Sequence, residues 1–478
     1  MGPGASSQHR FRPAPSCPQY PRPSEFCVLS QCEVRAGRLW CFRSRSARSG
    51  TRTSVHRVES NVLRVASSNV VDSELVPVVD AAAGSAEDPN SGTGATATID
   101  LDAIAHNIAV LGEYAGDASM MAVVKADGYN HGALAVATVA LNAGVEELGV
   151  TTLDEALTLR RAGITAPILA WLHRHDTDFA PAISAGVGIG VSSATQLSAV
   201  VADARIANVP AVVTLKVDTG LNRNGIPVEQ WDEVIEVLGR AVAEESVHLR
   251  GIFSHLACAD SPQHPANDRQ AENLRAALAR VQAAGIQPER VHLANSAATV
   301  TRPDLRFDMV RPGIAMYGLS PIPELGDFGL RPAMTVSAPV ALVKKVRAGD
   351  GVSYGHTWTA EKDTTVALIP MGYADGLVRN LSGRFDVQIG SRLFPSVGRV
   401  CMDQCMVDLG PSGSGVTEGD TAVLFGSGDG GGPRAQDWAD RLGTIHYEIV
   451  TGIRGRVRRS YRGLGAVLLE KKLGEVTR

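Results

Sequence analysis

Lys125 ends the apolar run Met121 to Val124, and a Gly-containing turn follows it through Gly132. A run with β-branched Val123 and Val124 reads as a buried parallel strand. Charged groups are rarely buried unpaired, so a lysine at the mouth of a core strand is either a salt-bridge partner or a reactive amine. Two further stretches bear on the choice. Ala294, Asn295, Ser296, Ala297 and Ala298 follow a strand and open a helix, so Ser296 and the free backbone amides can hold a phosphate. Arg311, Pro312, Gly313 and Ile314 repeat this geometry one strand later, with Gly313 allowing close backbone approach. A lysine beside a phosphate site is the chemistry of pyridoxal phosphate.

The elements that must position these groups alternate along the chain. Ala95 to Ile99 reads as a short strand, and Asp102 is placed to cap a helix over Ala103 to Tyr114, whose Ile104, Ile108 and Leu111 share one face. Strands are expected near Ala122 to Lys125, Leu148 to Thr151, Ile168 to Trp171, Val187 to Val191, Ala211 to Val217, Leu249 to Ser254, Val291 to Ala294 and Phe307 to Val310. Amphipathic segments such as Asp154 to Ala162, Glu229 to Ala243 and Asp268 to Ala284 lie between them. Parallel strands with intervening helices over ~200 residues define a (β/α)8 barrel, an α/β fold. Lys125, Lys216, His255, Asn295, Ser296 and Arg311 then fall at the C-terminal ends of the strands, the face where barrels place their chemistry. Past Arg331 the helices largely stop. Val336 to Val346, Thr365 to Ile369, Phe385 to Ile389 and Thr421 to Phe425 alternate between Gly-Asp and Gly-Ser turns, as in a mainly β second domain. The expected division is a leader over 1–94, the barrel over 95–332, the second domain over 333–470 and a tail over 471–478.

Composition excludes several classes. The 478 residues carry a net charge of −4 and 44% hydrophobic residues, with no basic excess to favour nucleic acid or an anionic membrane. No apolar run approaches the ~20 residues of a membrane span. Cys258, Cys401 and Cys405 alone serve the last four hundred residues, too few for a disulfide framework and without the spacing of a zinc site, so no metal is expected. The first sixty residues are rich in Arg, Ser and Pro and contain no lysine. That composition fits an organellar transit peptide, upstream sequence read through from an early start codon, or a disordered tail. The Arg454 to Arg462 run reads as a solvated strand edge.

MAVVKADGYNHGA, KVDTGLNRNG, SHLACAD, ANSAA, MVRPGIAMYG, GVSYGHTW, GYADG, GRVCMDQCMVDLG and HYE occur in this order, and together the chain from Ala95 to Tyr461 resembles the bacterial alanine racemase family. The resemblance implies a homodimeric, cytoplasmic, pyridoxal-phosphate-dependent racemase that supplies D-alanine for peptidoglycan. Lys125 would carry the cofactor as a Schiff base and serve as one base; Tyr354, brought from the partner subunit's second domain, would be the other. Inverting a stereocentre requires such a pair, since a proton leaves one face of the α-carbon and arrives at the other. A phenol is a poor base unless its phenolate is stabilised, and His255 with Arg311 offers a relay. Arg311 would also face the pyridine nitrogen and keep it unprotonated. Arg223 would hold the substrate carboxylate, helped by the backbone of Met402 from the partner. Lys216 matches a lysine that is often carbamylated; a plain Lys216–Asp218 surface pair is the alternative. Tyr129, Ser296, Gly313, Ile314 and Tyr447 map to phosphate contacts, with Asn295 beside them, and Tyr373 and Asp403 to the substrate entrance. Gly128, Asn130, Leu221 and Asn222 depart from the commoner family pattern; none removes a reacting group, so they bear on fine geometry and not on reaction class. A broader-specificity racemase, a barrel-type decarboxylase and a PLP-carrier barrel use similar parts; carriers lack a second domain, and the compact MDQ and GVSYGHTW motifs favour alanine.

Overall fold

The computed structural model describes residues 32–35, 38–41 and 94–476; the transit-like leader lies almost wholly outside them. Strand β1 (Thr96–Asp100) leads into a helix (Leu101–Ala115). Eight parallel strands follow: β2 (Ser119–Val123), β3 (Glu147–Val150), β4 (Ile168–Ala170), β5 (Gly188–Val191), β6 (Ala211–Lys216), β7 (Val247–Phe253), β8 (Arg290–His292) and β9 (Met309–Val310). They close as a barrel, with β9 pairing to β2 through Met309–Ser119 and Val310–Met120. Strands β3, β4 and β5 are buried at every position, because the barrel interior covers one face and the helical ring the other. Inside, Met121, Leu169, Phe253 and Met309 pack together with Trp171 against them. The expected strand sites are all occupied.

Apart from the short separate pair Gly351–Val352 and Trp358–Thr359, the strands after the barrel are β10 (Met334–Pro339), β11 (Leu342–Val346), β12 (Thr364–Ile369), β13 (Asp386–Ile389), β14 (Arg392–Val397), β15 (Cys405–Gly410), β16 (Thr421–Phe425) and β17 (Arg458–Arg462). With β1 they form one sheet of order β11-β12-β15-β14-β13-β16-β10-β1-β17. So β1, which precedes the barrel strands, belongs to the second sheet, antiparallel to β10 and parallel to β17. Its burial alternates, which suits a sheet solvated on one face and not a barrel stave.

Two local expectations are corrected. Asp100, not Asp102, caps the first helix, its Oδ1 accepting from Ala103 N at 2.9 Å; Asp102 Oδ1 instead accepts from Gly465 N at 3.2 Å. Helices also return after Arg331, at Ala435–Leu442, His446–Gly452 and Leu464–Val476. The last of these runs on into the expected tail. None of the described helices is long and apolar enough to cross a membrane.

Candidate active site

Lys125 stands two residues beyond the end of β2, on a turn of unusual hand. Ala126, Asp127, Gly128, Tyr129 and Asn130 all have positive φ, between 51 and 66°. Gly128 N donates to Val124 O at 2.8 Å and Asn130 N to Ala126 O at 2.9 Å, so the segment is one turn of left-handed helix. Each L-residue in that conformation costs about 1–2 kcal/mol, and the surroundings over-determine it. Glu155 Oε1 accepts from Ala126 N at 2.7 Å, while its Oε2 accepts from Thr151 N and Thr152 N at 2.8 and 3.1 Å. Asp127 takes Ala133 N at 2.8 Å and is bridged by Arg459, which also reaches Asn130 Oδ1 at 3.3 Å. His131 Nδ1 bonds Tyr129 O at 2.9 Å. The turn aims Lys125 and Tyr129 together, with the lysine Nζ 5.8 Å from the tyrosine ring centroid.

Opposite lies a cradle of donors. Ser296 starts a short helix (Ser296–Thr301) whose cap is Asn295, its Oδ1 accepting from Ala298 N at 3.1 Å. Ser296 Oγ accepts from Gly313 N at 2.8 Å and from Ala315 N at 3.4 Å. Gly313 is required by proximity: a Cβ there would lie 2.4 Å from Tyr129 Oη. Tyr129 packs at 4.8 Å from Tyr317 and 6.2 Å from Tyr447, ring centroid to centroid. The N–H groups of buried Ser296, Ala297 and Ile314 have no acceptor among the described residues. Orphan buried donors of this kind need an outside partner.

Charge makes the same demand. Burial lowers the Lys125 amine, Arg223 lowers it further, and Glu155 opposes them. Burial, Arg223, Arg311 and Lys125 bring Lys216 down to about 8 against a small opposing effect of Asp218. His255 falls to about 3 through burial and then the cations Arg311, Arg223, Lys125 and Lys216, so it is neutral. Burial brings Arg311 to about 9. Its guanidinium donates to Ser254 O at 2.6 Å, to Leu293 O at 3.1 Å and to His292 Nδ1 at 3.0 Å. A neutral His292, held well below its ordinary value mainly by burial, can accept that bond. Four cations therefore converge on one barrel mouth. Lys216 is not part of a surface pair: it is buried, and Asp218 spends Oδ1 on Gly220 N and Asn222 N, both at 3.0 Å. Arg223 is exposed on the loop that follows.

The remaining expected residues do not reach this mouth within the chain. Tyr354 is 70% exposed, on the turn between Gly351–Val352 and Trp358–Thr359. Met402 is 53% exposed and Tyr373 39% exposed, on adjacent loops of the second sheet, with Asp403 beside them. Among the described residues Met402 N donates to nothing. Tyr447 alone of the second domain's expected residues joins the cradle, by its ring contact with Tyr129.

Several contributors lie outside the motif residues. Glu155 was legible as the last member of a capping box beginning at Thr152, though nothing local tells that it also holds the lysine turn. Gln270 Nε2 bonds Thr219 Oγ1 at 3.1 Å and His255 O at 2.9 Å, joining the loops that carry Arg223 and His255. The Arg454 to Arg462 run does carry the edge strand of the sheet, but its arginines are paired: Arg456 with Asp375 and Asp403, Arg459 with Asp127 and Arg462 with Asp100.

An amine at a strand end, unsatisfied amides suited to a phosphate, and an excess of positive charge fit pyridoxal phosphate. They define the class of the protein: a barrel enzyme that uses this cofactor. Residues 99–321 match the family model "Alanine racemase, N-terminal domain" and 333–461 the model "Alanine racemase, C-terminal domain". The chain is 58% identical over 371 residues to the alanine racemase of Mycobacterium avium (strain 104), covering 78% of this chain and 96% of that one. It is equally identical over 368 residues to that of Mycobacterium tuberculosis (strain ATCC 25618 / H37Rv), covering 77% and 96%. Among solved structures, the alanine racemase of D-cycloserine-producing Streptomyces lavendulae superposes with a TM-score of 0.75 at 46% identity, over 78% of this chain and 98% of that one. The Bacillus anthracis alanine racemase with bound L-Ala-P gives 0.71 at 36%, over 78% and 96%. The chain belongs to the alanine racemase family.

Proposed function

We propose that the protein interconverts L- and D-alanine by a two-base mechanism, with residues 95–332 holding the cofactor and residues 333–470 completing the site of a partner subunit. The observation that carries the reading is Lys125, held by a left-handed turn before the unpartnered amides of Ser296, Ala297 and Ile314. Those amides, with Tyr129, Gly313 and Tyr447, would hold the phosphate; Asn295 caps the helix that presents two of them. Pyridoxal phosphate, when bound, withdraws the electrons that a departing α-proton leaves behind. Lys125 Nζ, its amine lowered by burial and by Arg223, takes or returns the proton on one face. Tyr354 Oη serves the other face, its phenolate favoured by the Arg311 cation with neutral His255 between the charges of the mouth. Arg311 cannot give up its charge to a ring nitrogen at neutral pH, which keeps that nitrogen unprotonated and restrains side reactions. Arg223 and the Met402 N–H bind the substrate carboxylate, Lys216 as a carbamate orients Arg223, and Tyr373 and Asp403 border the entrance.

Because Tyr354, Tyr373 and Met402 are exposed on their own chain, the active species is a homodimer in which each second domain serves its neighbour's barrel. The product is D-alanine for peptidoglycan, made in the cytoplasm. Incubation with L-alanine in D2O tests the reading: α-deuterium should enter as rotation decays, and both should be lost in Lys125→Ala and Tyr354→Phe. Full activity in a monomeric fraction on dilution, or no exchange despite a bound-cofactor absorbance, would overturn it.

A further inference from the structure

The second domain spends a buried charge on two loops. Asp375 is completely buried, a position that carboxylates avoid unless paired. Arg456 forks onto it, Nε to Oδ1 and Nη2 to Oδ2, both at 3.1 Å, and the same Nη2 reaches Asp403 Oδ1 at 2.7 Å. Asp375 Oδ2 also accepts from Gly372 N at 3.1 Å. The loop Gly372 to Asp375 lies directly on the turn Cys401 to Gln404: Tyr373 N donates to Cys401 O and Ala374 N to Met402 O, both at 3.0 Å. A Cβ on Gly372 would lie 2.3 Å from Met402 O. The turn is closed by Cys401 N donating to Gln404 O at 2.9 Å. One guanidinium thus fixes, through two carboxylates, the backbone on both sides of the unpartnered Met402 N–H.

We infer that Arg456, with Asp375, is a positioning residue for substrate binding in trans: the clamp aims the Met402 N–H, and Tyr373 beside it, at the substrate carboxylate in the partner subunit's barrel. The inference rests on the reading of Met402 given above. It has a geometric part and an electrostatic part. Geometrically, Cys401 O, which shares a planar peptide with the Met402 N–H, accepts from Tyr373 N, so that peptide cannot rotate while the Gly372 to Asp375 loop is held. Electrostatically, Asp403 adjoins Met402, and an unpaired carboxylate there would repel an incoming amino-acid carboxylate; Arg456 compensates that charge. Lysine cannot substitute, because a single ammonium does not present the planar fork that spans two carboxylates.

Hybrid dimers of the holoenzyme separate this from a structural role. Pairing wild type with an Arg456→Lys, Lys125→Ala double variant leaves one competent site, served by the altered clamp. Pairing Arg456→Lys with Lys125→Ala leaves one competent site served by an intact clamp. In the first hybrid, KM for alanine and the inhibition constant of propionate should both rise roughly tenfold, the size of one charge-assisted hydrogen bond. There kcat should change less than threefold and the bound-cofactor absorbance not at all. The second hybrid should match the Lys125→Ala and wild-type hybrid. Asp375→Asn, which keeps an acceptor but removes the charge, should repeat the pattern if Arg456→Lys folds poorly. Wild-type enzyme without racemisation would remove the function itself. Racemisation with KM and propionate binding unmoved in the first hybrid, or moved equally in both, would overturn only the clamp.

Discussion

At the scale of single residues, the site is governed by where positive charge is placed and what it lacks. Lys216 is the sharpest case. It is buried beside Arg223, Arg311 and Lys125, with its amine lowered to about 8 and its Nζ 5.6 Å from the Phe253 ring centroid. A buried ammonium among cations favours the neutral form, and the neutral amine is the form that adds carbon dioxide. The resulting carbamate would exchange a fourth cation for an anion next to Arg223. Carbamylation is therefore expected to depend on pH: the amine is largely charged below about 8 and free above it, so occupancy at fixed dissolved carbon dioxide should rise as pH climbs through that value. Gentle intact-mass measurement, or 13C resonance after 13C-bicarbonate, checks this. Lys216→Ala should raise KM for alanine by about tenfold through a misplaced Arg223, with partial rescue by Lys216→Glu. Absence of the added mass and of the 13C resonance at every pH would exclude the carbamate.

At the scale of elements, the strained turn after β2 shows why some of the site was legible in the chain and some was not. The barrel staves announced themselves because burial on both faces forces continuous β-branched and apolar runs, and Lys125, Lys216, His255, Asn295 and Arg311 stand at or just past their C-terminal ends in sequence. The turn Ala126 to Asn130 could be located but its hand could not: four non-glycine residues at positive φ contradict local preference and are held by Glu155 and Arg459, 29 and 332 residues away from the groups they bond. For the same reason β1 read as part of the barrel region, since only its pairing with β10 and β17 assigns it to the other sheet. Arg456 and Arg459 looked like an ordinary basic edge for want of their acidic partners, distant in sequence. Glu155 gives the element-scale prediction. Glu155→Ala removes the acceptor of three amides at once and leaves Ala126 N unbonded beside Lys125. Loss of a helix cap costs about 0.5–2 kcal/mol, and a loss near the upper end is expected in urea titration. Weaker cofactor retention on dialysis should accompany it. Glu155→Gln keeps one acceptor oxygen and should lose less on both measures.

At the scale of the whole molecule, the barrel and the second sheet meet along buried polar groups that tolerate no proton. His131 is fully buried and bonds Tyr129 O through Nδ1, while its Nε2 has no partner; it faces a cavity shared with Tyr317, Met334, Phe425 and Val450. His446, before Tyr447, bonds Gln436 through Nδ1 at 2.6 Å and likewise leaves Nε2 buried without a partner. Burial brings each to about 4 from an ordinary 6.5. Both folded values are depressed, so between pH 6.5 and 4 the unfolded chain binds protons that the native protein refuses. Stability is then highest above 6.5 and falls as pH drops toward 4, by up to about 3 kcal/mol for each histidine. The two residues adjoin Tyr129 and Tyr447, so the same acidification loosens the phosphate cradle. Urea midpoints measured from pH 7 to 4 should fall in wild type and fall less steeply in His131→Gln, whose amide has no such proton to take up. Cofactor release should track the unfolding baseline at low pH. A midpoint that declines equally in the variant would place the acid sensitivity elsewhere.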